Sequence, residues 1–431
     1  MTRLLAIALV SLVSLMLAGC GSSDAQIGSS DGLVWSSDGL VGSSDGRVWS
    51  SDGLVGSSDG LVESSDGQVE SSDGLVGSSD GRVLVGESTH GYALAYSPAR
   101  RVFEGDDGSL HVFFYDGQYI VVSSMNDGET FGPPTQVSHV PLPASGFSVA
   151  GGDGFFLVAY MDPTANAVVS PTLHLRRVDR SRRLLTVREP SPGLQSDSSS
   201  AFQAPSVSLA PDGIPWIVFR EDRGSGDGFP VFVVQAKTAE GTSWNDPVQV
   251  SNAEQVDDSS AGTSGAIYWP GTEPVIIHGG ATALHASVHT RDGWQPYVVD
   301  SKYTGVHGFS GVVVGDTLHL AYIVVGELRL IRYTPNAGWS EPVPIGVASS
   351  HSVTMSTVNG VPTVFGYDAG QGIIWYRTLE MEDSAIIASI RPDAIQYAWT
   401  ASPTEASGII AVWVEGSEPP YKIYLKRLDP D

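Results

Sequence analysis

FSVAGGDGFFLVAYMD, residues 147–162, reads as two strands joined by a turn. Phe147, Val149 and the residues between them alternate, Gly151 to Gly154 hold the Gly and Asp of a tight turn, and an apolar run from Phe155 to Tyr160 follows. The same phrase recurs as PSVSLAPDGIPWIVFRED at 205–222, FSGVVVGDTLHLAYI at 309–323 and HSVTMSTVNGVPTVFGYD at 351–368. An aromatic and a Pro then precede a closing strand, in ETFGPPTQVS, TSWNDPVQVS, DGWQPYVV and GWSEPVPIG, at Phe131, Trp244, Trp294 and Trp339. Seven such units begin near residues 98, 146, 204, 263, 308, 350 and 395. Repeats of roughly fifty residues carrying four strands each predict an all-β chain folded as a β-propeller with seven four-stranded blades. The last unit offers only three strands, at 395–402, 408–415 and 421–428, so a strand at 82–86 or 92–96 is expected to complete blade seven.

Composition agrees. The 431 residues include 50 Gly and 26 Pro, and only 16% are charged, which favours many turns over helices. A formal charge of −25 leaves no basic surface for phosphates, which excludes nucleic acid and anionic headgroups as main partners. One Cys, Cys20, excludes a disulfide framework and a Cys-rich zinc site. No cofactor is expected, no nucleotide or nucleophile-elbow motif occurs, and His285 and His289 share a face only on a helix, whereas ALHASVHT reads as strand.

The propeller region, residues 85–431, follows two different segments. Residues 1–19 hold Arg3 and then an apolar run at 4–17, the length of a cleaved signal rather than of a membrane span. Leu17-Ala18-Gly19-Cys20 ends that run and resembles the lipobox of bacterial lipoproteins. The resemblance implies a diacylated Cys20, a lipid anchor in the bacterial cell envelope, and an outer-membrane or cell-surface location, since no Asp follows the Cys. Residues 20–84 then carry eight heptads in register, from SSDGLVW at 29 to SSDGRVL at 78. Gly and Asp in every unit rule out a coiled coil. A turn at Asp-Gly with an extended Leu-Val would give a short β-solenoid, but two apolar residues per unit bury little, and a disordered tether with an end-to-end distance on the order of 45 Å is the expectation.

SSMNDGETF, ending at Phe131, resembles the Asp-box of sialidase-like propellers: Ser124, Gly128, Thr130 and Phe131 match and Asn126 replaces the Asp. In that family the box is a structural turn between the third and fourth strands, with its aromatic packed between sheets. The resemblance implies the fold and leaves activity open. Sialidase chemistry needs three Arg, a Tyr–Glu pair and an Asp, and the family's first Arg motif finds only Arg100-Arg101-Val102-Phe103 here, without its Pro. Arg332 and Arg377 recur at equivalent places in their units and read as repeat pattern.

The expected function is therefore a non-catalytic binding platform for a protein or glycan on a monomeric, lipid-anchored propeller, the alternative being a sialidase-like glycoside hydrolase. Long loops at 162–171, 190–204, 221–230 and 251–265 share one rim, and short turns such as 105–108 and 151–154 the other. The ligand candidates are Arg220, Asp222 and Arg223 in FREDRG, with Asp162 and Asp368, on the expectation that these side chains face solvent at second-strand ends. Asp116, Asp162, Asp222, Asp368 and Glu415 recur there, where Ca²⁺ or a cationic ligand competes with turn chemistry as the explanation.

Overall fold

A computed structural model describes residues 33–36, 39–42, 47–50 and 53–56 and, from 81 to 428, all but 95–99, 126–127, 143–145, 163–171, 182–183, 189–193, 196–200, 223–228, 252–264, 281–282, 303–307, 325, 348–352, 369, 391–399 and 402. The signal segment, Cys20, Asn126 and Arg223 lie outside the described residues. The chain divides into two compact units, residues 1–74 and 75–431. In the first, Leu33–Ser36 pairs with Gly39–Gly42 and Arg47–Ser50 with Gly53–Gly56, both antiparallel. In these four segments the heptad is extended and paired rather than the coil expected of a tether, because Leu-Val and its β-branched neighbour favour the pleat once a partner strand lies alongside.

The second unit is a seven-bladed β-propeller, with seven sheets of at least four strands. Blade one holds Val102–Glu104, Leu110–Tyr115, Ile120–Met125 and Thr135–Gln136 in order. Blade two follows with Phe147–Gly152, Phe155–Asp162, Thr172–Ser181 and Leu184–Arg188, and blade three with Ala201–Leu209, Pro215–Asp222, Val231–Gln235 and Val248–Gln249. Ala266–Tyr268, Val275–Gly279, Leu284–Thr290 and Gly293–Asp300 form blade four. In blade five Phe309–Val314, Thr317–Val324 and Glu327–Thr334 are followed by Gly338–Trp339 and Val343–Val347, both paired to the third strand. Blade six is Val353–Val358, Val361–Asp368, Ile373–Thr378 and Ala385–Ser389. The first strands begin within five residues of the starts read from the repeat.

Blade seven joins the two ends of the unit. Its order is Thr400–Ala401, Ile409–Glu415, Tyr421–Leu428 and then Val83–Ser88, which pairs antiparallel with Tyr421–Leu428 through a bulge at Val85. Of the two segments expected to close the ring, the earlier one does so. It begins at Val83, inside the last heptad, so the boundary at 84/85 falls within a strand. The physical reason is that the Arg82-Val83-Leu84 of that heptad runs straight into Val85-Gly86, giving an extended segment long enough to pair. Arg82 Nη1 donates to both oxygens of Glu415, at 3.2 and 2.9 Å. At the seam to blade one, Glu104 accepts from Ser407 N and Oγ at 2.8 and 2.7 Å and meets Arg427 at 3.4 Å.

Second strands are packed from both sides by neighbouring blades, which explains their apolar runs without alternation. Leu110–Tyr115 is buried throughout, as is Val275–Gly279. Their side chains divide between adjacent seams: Phe113 and Tyr115 pack with Phe156, Val158 and Tyr160 of blade two, and Phe114 packs with Trp413 and Ile423 of blade seven. Polar groups stitch the inner strands. Ser148 Oγ accepts from Val207 N at 3.3 Å and Ser310 Oγ from Met355 N at 3.0 Å, each across one blade boundary. Two-residue turns reverse the chain between the first and second strands of blades two, five and six, and Asn359 and Gly360, with φ of 50° and 80°, show why Asn-Gly stands in blade six: both turn positions need positive φ.

The aromatic before each closing strand has one role in four blades. Phe131, Trp244, Trp294 and Trp339 each pack, partly buried, on an inter-blade core. In three of them the next residue bonds back to the third strand: Gly132 N to Ser124 O, Asn245 N to Gln235 O and Ser340 N to Arg332 O, at 2.9, 3.0 and 2.9 Å.

Deleting residues 421–431 is expected to abolish cooperative unfolding, because it strips partners from Ile409–Glu415 and Val83–Ser88 together. Calorimetry decides this, and a soluble product with a single sharp transition refutes closure by the two termini. Trp413→Ala, at a side chain with 0% exposure, should cost about 3–5 kcal/mol in denaturant titrations.

Candidate functional site

The long-loop rim is built from second-strand ends, and its described charged groups are engaged in structure. Asp368 Oδ1 accepts from Gly370 N and Gln371 N at 2.9 and 3.1 Å, and its Oδ2 from Gln371 Nε2 at 2.9 Å. Asp116 caps the equivalent turn of blade one, accepting from Gln118 N and Tyr119 N at 2.7 Å each. Glu415 holds Arg82. These acids are turn and seam residues, the chemistry that Asx side chains offer a reversing backbone. The side chains of Asp162 and Asp222 and all of Arg223 lie outside the described residues, as do most of the long loops.

Arg220 departs from its expected place. It is 2% exposed rather than facing solvent, and its Nη2 donates to Gly279 O of blade four. The cause is register: Arg220 pairs with Val231 next to Phe219↔Phe232, and its side chain enters the seam between blades three and four. There it meets His278, fully buried and stacked on His285 with ring centroids 5.5 Å apart. Among the described residues both His278 nitrogens are without hydrogen-bond partners. Burial, then His285 and Arg220, hold the His278 imidazole well below its ordinary range, and burial lowers His285 too. The pairing of His278 with His285 is a matter of strand register, invisible in the sequence.

The opposite rim, of short turns, carries the open cavities. One of about 590 Å³ is lined by turns of blades one, five, six and seven, and another of about 430 Å³ by turns of blades one, two and seven. They share Glu104, Gly105, Asp106 and Glu405. Gly carries much of the wall because these turns need its φ: Gly108, Gly154, Gly315 and Gly360 sit between 58° and 80°. Backbone groups are thereby open to a ligand. Glu104 is engaged by Ser407 and Arg427, whereas Asp106, Asp153 and Glu405 make no hydrogen bond among the described residues.

Two arginines face the smaller cavity. Arg180 reaches Ser109 Oγ at 3.4 Å and Asp107 at 4.0 Å. Burial pushes the Arg100 guanidinium down from its usual range, while Tyr268 and Glu405 nearby oppose that shift. Its neighbour Arg101 is structural, with its guanidinium carbon 3.3 Å from the Phe147 ring centroid and no exposure. Burial also raises the Tyr268 phenol far above its ordinary range, against the weaker pull of Arg100. A phenol so held is a poor nucleophile, since attack requires its proton to leave easily. Arg377 bonds to the backbone of Ile345 and Met381, at 2.6 and 3.2 Å, and Arg332 is exposed on the third strand of blade five.

Below the rim, Asp107 Oδ1 accepts from Ser109 N and Oγ at 3.1 and 2.6 Å, which holds its carboxyl below the usual range. Ser109 Oγ lies 3.1 Å from His111 Nε2, and His111 Nδ1 2.8 Å from Ser124 Oγ. The Ser109 proton is given to Asp107, so His111 Nε2–H donates to Ser109 and Nδ1 accepts from Ser124. This fixes a neutral tautomer and leaves no activated hydroxyl. Burial pushes His111 down to about 4. Among the described residues no group of three or more His, Cys, Asp or Glu comes together to hold a metal, and no helix is long and apolar enough to cross a membrane.

No family model matches this chain, and no curated protein does. Its fold is similar to several solved structures. Polysaccharide lyase Uly1 is 10% identical with a TM-score of 0.48, over 78% of this chain and 91% of that one. A Penicillium chrysogenum α-L-arabinanase is 12% identical with a TM-score of 0.44, over 80% and 98%. A protein of unknown function from Dyadobacter fermentans is 13% identical with a TM-score of 0.44, over 81% and 98%. At such identities none of these bears on what this chain does.

The buried imidazoles make stability depend on pH with a definite sign. Their folded values lie below the unfolded 6.5, so the stabilisation is full above about pH 6.5 and is lost as pH falls towards 4. His111 alone accounts for up to about 3 kcal/mol of that loss. His278→Phe removes a buried imidazole that makes no hydrogen bond among the described residues and keeps the ring stack. Denaturant titrations at pH 8 and pH 5 should show the variant losing less stability on acidification than the parent, by up to about 2 kcal/mol. Equal losses would show that His278 does not titrate with unfolding.

Proposed function

We propose that this chain is a surface lipoprotein, anchored through acylated Cys20, whose propeller binds a glycan at the short-turn rim without transforming it. The observation that carries the reading is the pair of adjoining open cavities there. Their walls offer Gly backbone, the carboxylates of Asp106, Asp153 and Glu405, and the Arg100 guanidinium. Carboxylates accept from neighbouring sugar hydroxyls, backbone amides and carbonyls complete such contacts, and a wide, shallow polar wall suits an extended chain of sugars more than a buried small molecule. The recognition surface thus moves from the long loops to the opposite rim. The turn at Ser124, Gly128, Thr130 and Phe131 is read as a structural Asp-box, whose aromatic seals a seam rather than a site.

One observation favours hydrolysis instead: Tyr268, buried beneath the rim, and Glu405 each lie close enough to Arg100 to act on its charge, and Arg, Tyr and Glu are residue types of sialidase-like chemistry. The raised Tyr268 phenol counts against it.

A glycan array probed with the lipid-free Cys20→Ser chain separates these readings. Binding is expected, and Glu405→Gln with Asp106→Asn should weaken it at least tenfold while thermal midpoints stay within a few degrees, since neither side chain makes a hydrogen bond among the described residues. Turnover of an activated glycoside, abolished by Tyr268→Phe, would replace the binding reading by the enzyme. In the source bacterium, Cys20→Ser should also move the protein from the washed membrane fraction to the soluble one, because the acyl chains are the proposed anchor. Retention on membranes after signal cleavage counts against lipidation.

A further inference from the structure

After its first strand, blade seven sends the chain across to blade six. Glu405–Ala406 lies along Val353–Val358 and pairs with it in parallel, Glu405 opposite Thr357 and Ala406 opposite Val358. Thr357 N donates to Thr404 O at 2.7 Å and Asn359 N to Ala406 O at 3.1 Å, while Glu104 of blade one holds Ser407. Residues 403–407 are thereby fixed between blades six and one, and they form the wall between the two rim cavities. Pro403 and Thr404 line the smaller, Ala406 and Ser407 the larger, and Glu405 both.

The two sides of that wall differ in charge. The smaller cavity mixes acids with Arg100 and Arg180, whereas the lining of the larger holds Glu104, Asp106 and Glu405 and no Lys, Arg or His. Arg427 meets Glu104 and Arg100 lies near Glu405, so among the described residues Asp106 is left without a cation. Thr357 adds an independent sign. Alternate side chains of a strand face opposite ways, and Val353 and Met355 pack with Val312 of blade five. Thr357 is next in that series, so its side chain points towards blade five, whose Val313, Val314 and Gly315 form the facing wall of the larger cavity. It is 9% exposed, and its Oγ1 has no hydrogen-bond partner among the described residues. A buried hydroxyl left unpaired is costly, which points to a ligand that completes it. Register partners project to the same face of a sheet, so Glu405 is directed as Thr357 is.

We propose, resting on the glycan reading above, that the larger cavity takes the ammonium group of an unacetylated amino sugar. An ammonium donates three protons and accepts none: the carboxylates of Asp106 and Glu405 accept in charge-assisted bonds, and Thr357 Oγ1 accepts the third. N-acetylation removes the charge and two of those protons, so the site discriminates on both. A uronic acid meets only like charge on this side of the wall, and the formal charge of −25 draws a cationic ligand towards the chain from a distance. Among the described residues no three acids or imidazoles gather to hold a metal, which favours an ammonium over a divalent ion needing a full shell of oxygens.

Calorimetric titration of the lipid-free Cys20→Ser chain with matched tetrasaccharides of glucosamine, N-acetylglucosamine, glucose and a uronic acid tests this, with tetralysine as a peptide cation. The glucosamine tetramer should bind at least about tenfold tighter than the N-acetylated and glucose ones, an advantage that shrinks with added salt. Asp106→Asn should erase most of that preference. Thr357→Val keeps the shape and drops the unpaired hydroxyl, so it should weaken glucosamine binding several-fold while the thermal midpoint stays or rises. Equal affinity for the glucosamine and N-acetylglucosamine tetramers, or a preference for the uronic acid, overturns the inference and leaves the glycan reading standing. No binding by any tetramer, with a blank glycan array, overturns both. Tetralysine bound as tightly as the glucosamine tetramer overturns the sugar as occupant in favour of a basic peptide. Unchanged glucosamine affinity in Thr357→Val also sinks the proposal, because the unpaired hydroxyl then serves no ligand.

Discussion

The pairing of Val83–Ser88 with Tyr421–Leu428 is the contact on which the other blades depend. Each of the other six sheets takes its four main strands from one continuous stretch of chain, whereas blade seven takes three strands from one end of the unit and one from the other. Arg82 and Glu415, 333 positions apart, meet across that junction. Closing so long a loop costs entropy that rises only with the logarithm of its length, but no local contact offsets it. The offset comes from the shared core of blades six, seven and one, where Val85, Phe114, Trp413 and Ile423 are buried together.

Closure determines what polar side chains are free to do. In a ring every blade is covered on both sides, so the polar groups of inner strands and seams need partners inside the protein. Ser148 and Ser310 serve neighbouring strands. Asp300 shows the same use with charge. Burial works against its carboxylate, but hydrogen bonds from Lys302 N, Tyr322 Oη and Arg329 outweigh it and hold the group below the usual range. What is left for a ligand sits on turns, where Gly opens the backbone and Asp106, Asp153 and Glu405 lie at the rim. Function is therefore sought where the ring demands least of the side chains.

The heptads and the blades turn out to use one strand vocabulary. Leu-Val-Gly pairs with its neighbour in the first unit and closes the ring in the second. A short β-segment has little intrinsic preference and takes its conformation from the edge it finds. This explains how one heptad can run directly into a blade at Val83 and why composition alone places the boundary inside a strand.

Local patterns along the chain set the elements and their number. Alternation in Phe147–Gly152, the apolar run of Phe155–Asp162 and the Gly and Asp between them are local signals, and seven repetitions of a local signal specify seven blades. The aromatic before each closing strand was legible for the same reason. Tertiary structure alone decided which polar residues are available. FREDRG looks like a solvated strand end, yet register carries Arg220 into a seam with His278. Asp368 looks like a rim carboxylate, yet it caps its own turn. Asp106 and Glu405, on short turns of little apparent interest and about three hundred residues apart, line one cavity. Burial and pairing are set by residues far away in the chain, and a period of fifty residues carries no record of which faces meet.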